Sequence, residues 1–312
     1  PQDWQMAWLF GDLPDDQISN VIVDGVTTID CAVGIKVAGT RESPVRHLTL
    51  RDCRMLHALG LEPGMGYGVL FHHADFGKVT GCHFENCERH SLYFALGRHY
   101  VAMGNTFHKH RSAVATEAIR PALVIARSEN VSAVGNVFDS CFDGALSVET
   151  DPAGRTCRNV TICANTFLNS RPFDILVGND DPATHGYPEH VVIVANTFSR
   201  DGDAPTGTAV DVRCGAYVTV GENSFVHQAR GPGSPTGIYV RGTSGDQFTN
   251  YVELHDNVFR YTAMLGEAHA FEIGAAIAQG SSRVRIRGNT DHSSGGVLLD
   301  ARRRNENLLI QR

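Results

Sequence analysis

The chain has 312 residues, 42% of them hydrophobic and 20% charged, which is enough for one large domain or two ordinary ones. A net charge of −7 at pH 7 and a pI near 6.1 argue against a protein that binds nucleic-acid backbones, because such proteins carry a basic face. No run of about 18 apolar residues is present, so the sequence predicts no membrane-spanning helix.

The first twenty residues lie outside any regular pattern. They hold apolar side chains around Trp4 and Trp8, and we expect residues 1–20 to cover the apolar end of a repeat array as a cap. The start lacks the basic and apolar regions of a signal peptide. Because the chain starts at Pro1 and not at Met, we expect a secreted protein rather than a cytoplasmic one, with a leader outside this chain.

An Asn-x-Phe motif recurs through most of the chain. Its asparagines are separated by 31, 29, 31, 27, 34 and 32 residues, if the partial last copy is included. A short stretch of alternating apolar residues precedes every copy. A period of this size indicates a repeat architecture. The asparagines are Asn105, Asn136, Asn165, Asn196, Asn223, Asn257 and Asn289.

A second short strand is predicted a little over ten residues after each motif. These strands have period-two alternation and are bounded by Gly, Asn, Asp or Pro. Only Ala263–Ala270 suggests helix, and then a single turn. The second strands are Val69–Phe71, Leu92–Phe94, Leu123–Ile125, Leu146–Val148, Ile175–Val177, Val210–Val212, Ile238–Val240, Phe271–Ile273 and Val297–Leu299.

Two short strands in about thirty residues, without helices, predict an all-β fold: a single-stranded right-handed parallel β-helix of about ten coils. Residues 1–312 would form one domain, with residues 301–312 as its last turn. Equivalent residues of successive coils would lie about 4.8 Å apart, so the asparagines could form an amide ladder and the phenylalanines a stacked core. A β-propeller is the main alternative, but its blades need four strands over about forty residues.

Eight cysteines raise the question of disulfides. Cys53 and Cys82 stand where other repeats have asparagine, and Cys87 and Cys141 each follow a repeat phenylalanine by three residues. Cysteines at equivalent repeat positions are typical of small buried side chains in a stack. We therefore expect free thiols.

The strand pattern and the Asn-Thr-Phe bend resemble the pectin-lyase-like superfamily of β-helix proteins. His90-Ser-Leu-Tyr93 and the Gly104-Asn-Thr-Phe107 bend are similar to turns of its bacterial carbohydrate-active members. The resemblance covers nearly the whole chain. It implies the fold and a polysaccharide ligand, but not the reaction, because the superfamily includes lyases, hydrolases, epimerases and phage tail proteins.

Alternation within the second strands predicts which side chains face outward. Aliphatic residues such as Ile238 and Val240 would point into the core, and their neighbours would line an outer face with mixed charges and two tyrosines. Such a strip suits an extended sugar chain. The predicted substrate-binding residues on it are Glu149, Asp211, Arg213, Tyr239 and Arg241.

Histidines concentrate early in the chain, with eight of the fifteen between His57 and His110. Histidine titrates near neutrality, so this cluster could supply a general acid and a general base. Solvated turn histidines are the alternative interpretation. The repeat shortens to 23 residues between Cys82 and Asn105, and we place the site there. The predicted catalytic residues are His72, His90, Tyr93, Arg98, His99 and His108.

The preferred function is a polysaccharide lyase that cleaves a uronic-acid-containing chain by β-elimination. Arg98 would neutralise the uronate carboxylate, and Tyr93 with His72 or His90 would transfer the protons, with His99 and His108 in reserve. Alternatives are a uronate C5-epimerase, a β-helix glycoside hydrolase and a non-catalytic carbohydrate-binding β-helix.

The paired aspartates of the hydrolase alternative would be Asp180 and Asp181, although Asn-Asp-Asp-Pro is also a common turn.

No cofactor is predicted. Histidine and cysteine spacings do not match transition-metal motifs. Calcium held by carboxylates is the alternative, with Glu149, Asp151, Asp174 and Asp211 as ligands. The expected partner is a polysaccharide, with neither nucleic acid nor membrane, and the protein would be a monomer or a trimer.

Overall fold

The computed structural model describes residues 6–10, 18–60, 64–110, 120–150, 156–178, 186–202, 206–229, 234–241, 249–262, 269–273, 283–293, 297–301 and 308–311. These residues form strands and turns without a helix, so none of them belongs to a helix that could span a membrane. The segment 263–268, most of the predicted helical turn, lies outside them, and the following His269–Ile273 is a strand.

The strands assemble into three parallel sheets, and each coil contributes one strand to every sheet in turn. Sheet 1 precedes the asparagine bend. It contains β2 Ser19–Asp24, β5 Val45–Arg51, β8 Ala74–Asp75, β9 Lys78–Thr80, β12 Val101–Met103, β15 Glu129–Val134, β18 Arg158–Cys163, β21 Glu189–Val194, β24 Ala216–Gly221, β27 Asn250–His255, β30 Val284–Arg287 and β33 Leu308–Gln311.

Sheet 2 follows the bend and carries the repeat phenylalanines. It contains β3 Thr27–Ile29, β6 Arg54–Leu56, β10 His83–Glu85, β13 Thr106–His108, β16 Val137–Asp139, β19 Thr166–Leu168, β22 Thr197–Gly202, β25 Ser224–Ala229, β28 Val258–Thr262 and β31 Thr290–Asp291.

Sheet 3 holds the second strands of the repeat. It contains β1 Met6–Phe10, β4 Val33–Ala38, β7 Tyr67–His72, β11 His90–Ala95, β14 Leu123–Ala126, β17 Leu146–Glu149, β20 Phe173–Val177, β23 Thr206–Val212, β26 Ser234–Val240, β29 His269–Ile273 and β32 Val297–Ala301. The architecture is the predicted right-handed parallel β-helix. Met6–Phe10, in the predicted cap, pairs with β4 as the first strand of this sheet.

The asparagines form a continuous ladder at the bend between sheets 1 and 2. Each Nδ2 donates to the Oδ1 of the next asparagine at 2.9–3.0 Å, from Asn105 through to Asn289. The same Oδ1 accepts the backbone N–H of the preceding asparagine at 2.9–3.1 Å. Backbone groups that a tight bend would leave unpaired are therefore satisfied by the next coil.

Phenylalanine rings stack in the core directly after the ladder. Neighbouring rings from Phe84 to Phe259 have centroids 4.6–4.9 Å apart and interplanar angles of 10° or less. Met55 continues the column at its N-terminal end through its pairing with Phe84. All these side chains are fully buried.

Cysteines replace asparagine at two positions of the ladder. Cys53 and Cys82 are buried, and the Cys82 N–H donates to Asn105 Oδ1 at 2.9 Å. All eight cysteines are free thiols, as predicted.

The bends place residues in the left-handed region of backbone space once or more per coil. The bend before the ladder uses glycine at Gly81, Gly104 and Gly135, with φ of 64° at each, and alanine at Ala164 and Ala195, with φ of 55°. Glycine adopts this conformation without strain, which explains its frequency there.

Gly97, in the shortest coil, is required for a different reason. A Cβ on this residue would collide with the Ala74 carbonyl oxygen and the Tyr100 hydroxyl. The close approach of these groups brings the end of sheet 3 to the start of sheet 1 in few residues.

Replacing Asn165 by alanine should destabilise the protein by about 2–5 kcal/mol, because it leaves buried partners at Asn136, Asn196 and Ala133 without their hydrogen bonds. Urea denaturation followed by circular dichroism measures the change. Thr166→Ala, at the outward-facing next residue, is the control and should cost less than about 1 kcal/mol. Equal effects of the two substitutions would contradict the ladder's role.

Candidate functional site

The outer face of sheet 3 follows the predicted alternation. One outward column runs through strand-paired residues of successive coils: Lys36, Leu70, Tyr93, Val124, Ser147, Leu176, Asp211 and Tyr239. A second column, two residues further along the strands, contains Ala38, His72, Ala95, Ala126 and Glu149. Tyr93 is therefore a diagonal neighbour of His72, at a distance that long side chains can bridge.

Tyr93 lies at the centre of a group of aromatic and charged side chains. Its ring centroid is 5.2 Å from that of His90 and 5.7 Å from that of Tyr67. Burial and, secondarily, the negative charge of Glu149 raise the pKa of Tyr93, against the opposing effect of Arg127. The phenol is thus held in its protonated form.

Arg127 connects the members of this group. It follows strand β14 with a φ of 53°, so it lies in the bend just beyond the carboxyl end of that strand. Its guanidinium lies close enough to the Tyr93 hydroxyl to act against the rise in the pKa of Tyr93. Its positive charge also acts on His72 and on Glu149. We call His72, Tyr93, Arg127 and Glu149 the Arg127 cluster.

His72 is half-buried at the end of strand β7. Burial, followed by the charges of His73, Arg127 and Lys36, lowers the pKa of His72 to about 4. The His73 ring stands perpendicular to it at 4.7 Å. His72 is therefore a neutral imidazole at neutral pH, with a lone pair available for a proton.

Glu149 occupies the end of strand β17. Its carboxylate accepts a hydrogen bond from the Ser147 hydroxyl at 2.6 Å. Burial raises the pKa of Glu149, and this effect outweighs the Ser147 hydrogen bond and the positive charges of Arg127 and Arg213. Such a carboxyl group keeps its proton to a higher pH than an exposed carboxyl group does.

His90 is nearly buried at the start of strand β11, with 8% of its surface exposed. Its Nδ1 lies 2.8 Å from the Pro121 carbonyl oxygen, to which the ring N–H donates. Burial holds the pKa of His90 well below its usual range. The rings of His90, Tyr67 and Tyr93 contact one another in a triangle, so His90 helps to fix the orientation of both tyrosines.

The predicted substrate-binding residues further along sheet 3 bind one another. Arg241 makes a bidentate interaction with Asp211, with Nε and Nη2 at 3.0 and 2.7 Å, and Arg213 Nε donates to the same carboxylate at 2.9 Å. Asp211 and Arg213 are 4% and 7% exposed. Arg241 also lies over the Tyr239 ring at 5.1 Å. The charged groups of these residues are thus paired with one another, and their binding of a sugar stays a prediction.

Arg98 lies at the corner between sheets 3 and 1. Its guanidinium is paired with Asp75 at 3.0 Å and is more than half exposed. It lines an open cleft of about 560 Å³ together with Thr40, Arg41, Pro44, His73, Asp75, Leu96, Gly97, Arg127, Glu129, Thr156 and Arg158. Arg127 belongs both to this cleft and to the Arg127 cluster, and of the two arginines it is the one whose charge acts on the pKa of Tyr93.

Two predicted catalytic histidines lie on other faces of the solenoid. His108 is on sheet 2, where its Nδ1 lies 3.0 Å from Asp139. His99 precedes sheet 1 and stacks on Phe76 at 4.6 Å. The histidine cluster of the sequence is therefore divided among three faces, and only His72 and His90 accompany Tyr93.

Two of the carboxylates suggested for calcium are engaged by arginines. Asp174 is 1% exposed and is paired with Arg200 at 2.9 Å, while Asp211 is held by two arginines. Among the residues that the structure describes, no group of three or more His, Cys, Asp or Glu side chains could hold a metal ion. Asp151, Asp180 and Asp181 lie outside the described residues.

Sequence reasoning missed Tyr67, whose ring contacts that of Tyr93, and the two arginines beside Tyr67. Arg89 lies over the Tyr67 ring at 5.2 Å, and the charges of both Arg89 and Arg120 act on Tyr67. The only signal in the sequence was the position of Arg89 directly before His90.

Comparison with solved structures places the architecture among known β-helix proteins. A glycoside hydrolase superposes with a TM-score of 0.53 at 12% identity, covering 89% of this chain and 53% of that one. This chain thus spans about half the length of that hydrolase. The adhesin PfbA of Streptococcus pneumoniae gives a TM-score of 0.48 at 13% identity, covering 98% and 81%. The Dettilon tailspike gives 0.46 at 11%, covering 94% and 60%.

No protein-family model matches the sequence, and no curated protein matches it either. At such low identities the structural likeness establishes the fold alone. The chain has the right-handed parallel β-helix fold that characterises the pectin-lyase-like proteins.

Proposed function

We propose that the protein is a polysaccharide lyase that cleaves a uronic-acid-containing chain by β-elimination at the Arg127 cluster. The observation that carries this proposal is that Tyr93 and His72 are diagonal neighbours on paired strands, with Arg127 close enough for its charge to act on both. A cation, a proton donor and a proton acceptor then lie near one another on the outer face of sheet 3.

Each residue has a defined part in the reaction. Arg127, rather than Arg98, neutralises the uronate carboxylate, which makes the proton on the adjacent C5 more acidic. His72 removes that proton, the electron pair forms the C4–C5 double bond, and the C4–O bond breaks. Tyr93 donates its proton to the departing oxygen and regains one from solvent or from protonated His72. His90 holds the Tyr93 ring in place.

Glu149 supports a second candidate function. Its raised pKa suits the general acid of a glycoside hydrolase. Such an enzyme needs a second carboxylate across the scissile bond, and Asp211, on the same face, is held by Arg213 and Arg241. Secretion, a monomeric or trimeric state and the absence of a cofactor remain predictions.

The direct test is a panel of uronic-acid polymers. Elimination creates a conjugated unsaturated uronate that absorbs in the ultraviolet, whereas hydrolysis creates reducing ends without this absorbance. We expect the absorbance to rise on at least one polymer. New reducing ends without it would transfer the assignment to the hydrolase.

Tyr93→Phe should lower kcat by about 100-fold to 10,000-fold, because it removes the proton donor and keeps the ring that packs against Tyr67 and His90. Tyr217→Phe is the matched control, since Tyr217 is half exposed and stacks on Tyr251 in sheet 1. Its kcat should equal that of the parent. A fully active Tyr93→Phe would move the site elsewhere.

The pH dependence of kcat/KM should follow the shifted pKa values of His72 and Tyr93. Because burial lowers the pKa of His72 to about 4, the base stays neutral in mildly acidic solution, and the acid limb should lie near that value instead of near 6.5. The raised pKa of Tyr93 keeps the acid protonated in mildly alkaline solution. Initial rates at low substrate concentration measure the profile, and an acid limb between about pH 6 and 7 would exclude His72 as the base.

A further inference from the structure

Arg89 lies on the opposite side of Tyr93 from Arg127. Arg89 precedes strand β11, whereas Arg127 follows the neighbouring parallel strand β14. The two backbone positions are about 20 Å apart along the strand direction, at about 3.3 Å per residue. Tyr67 and Tyr93 lie between the two guanidinium groups.

Arg89 has unused hydrogen-bonding capacity. Its Nε and Nη1 are buried and have no hydrogen-bond partner. The neighbouring carboxylate of Glu88 is engaged elsewhere, as it accepts the Gly60 N–H at 2.7 Å. Buried donors of a charged group are costly when unpaired, so an anion that accepted hydrogen bonds from them would remove this cost.

Positive charge accumulates around Arg89. Arg89 and Arg120 stand at equivalent positions before the paired strands β11 and β14, and burial and the charge of Arg89 lower the pKa of Arg120. The neutral His90 and the protonated Tyr67 complete the surroundings. A carboxylate or a sulfate ester carries the anionic oxygens to which such charged guanidinium donors bind.

We propose that Arg89, with Arg120 beside it, binds the anionic group of a second acidic sugar in the same chain as the one that reacts at Arg127. The link to a reacting sugar rests on the proposed function. The substrate then crosses sheet 3 along the strand direction instead of following the solenoid axis. The mutual pairing of Asp211, Arg213 and Arg241 agrees with this course. A sugar chain that followed the solenoid axis would meet these charged groups already paired with one another.

Binding to a variant that does not cleave tests the site. In the Tyr93→Phe background, calorimetric titration would use acidic trisaccharides of galacturonate, glucuronate and mannuronate, a sulfated trisaccharide and a neutral one. Arg89→Met should raise the Kd of the acidic ligands about 10-fold to 100-fold and leave the Kd of the neutral ligand unchanged. The tighter of the carboxylated and sulfated ligands identifies the anion. Arg54→Met, an exposed arginine on sheet 2, is the control and should bind as the parent does.

A stability measurement separates recognition from packing. Methionine retains the apolar stem against Tyr67 and removes the unpaired donors, so the Tm of Arg89→Met without ligand should be unchanged or higher. A large fall in Tm with unchanged binding would assign Arg89 a structural role.

Two results would overturn the proposal. One is an unchanged affinity when Arg89→Met is added to Tyr93→Phe, and the other is that Tyr93→Phe alone binds no charged trisaccharide. Binding that depends on Arg89, without unsaturated product from the wild type, would instead reject the lyase assignment and keep the anion site.

Discussion

The hydrogen bond from one asparagine amide to the next is the interaction on which the remainder of the structure depends. It fixes the register of successive coils, because Nδ2 and Oδ1 can meet only when the bends superpose. With the register fixed, the phenylalanine rings stack and the outward residues of sheet 3 align into columns. A ladder of neutral amides suits this task, since each side chain both donates and accepts.

Burial, more than charge pairing, sets the chemistry on the outer face of sheet 3. Burial is the largest influence on the pKa of His72, Tyr93 and Glu149, and in each it favours the neutral form. Arg127 is the positively charged residue of the cluster, and burial favours the neutral form of the other three. By contrast, Asp211 with Arg213 and Arg241 forms a closed ion-pair group, which stabilises the scaffold and leaves little for a ligand. The candidate site therefore differs from this ion-pair group in that burial, and not ion pairing, has the largest influence on its histidine, tyrosine and glutamate.

The fold could be predicted from sequence because its determinants repeat. The spacing of Asn105 and its successors gave the coil, and strict alternation assigned Tyr93 and His72 to the outer face. The arrangement of the site could not be predicted in the same way. Which arginine reaches Tyr93 depends on the left-handed bend at Arg127 and on pairing between coils, and neither has a local signal. Histidines close in sequence, such as His90 and His108, separate because each bend redirects the chain to another sheet.

Elimination and hydrolysis at the Arg127 cluster differ in whether water enters the products, and mass spectrometry of the products from a defined uronate oligomer measures this directly. A lyase divides the oligomer without adding water, so the masses of the two fragments sum to the mass of the substrate. The account predicts that result, with the unsaturated sugar at the non-reducing end of one fragment. Fragments whose combined mass exceeds that of the substrate by one water molecule would contradict it.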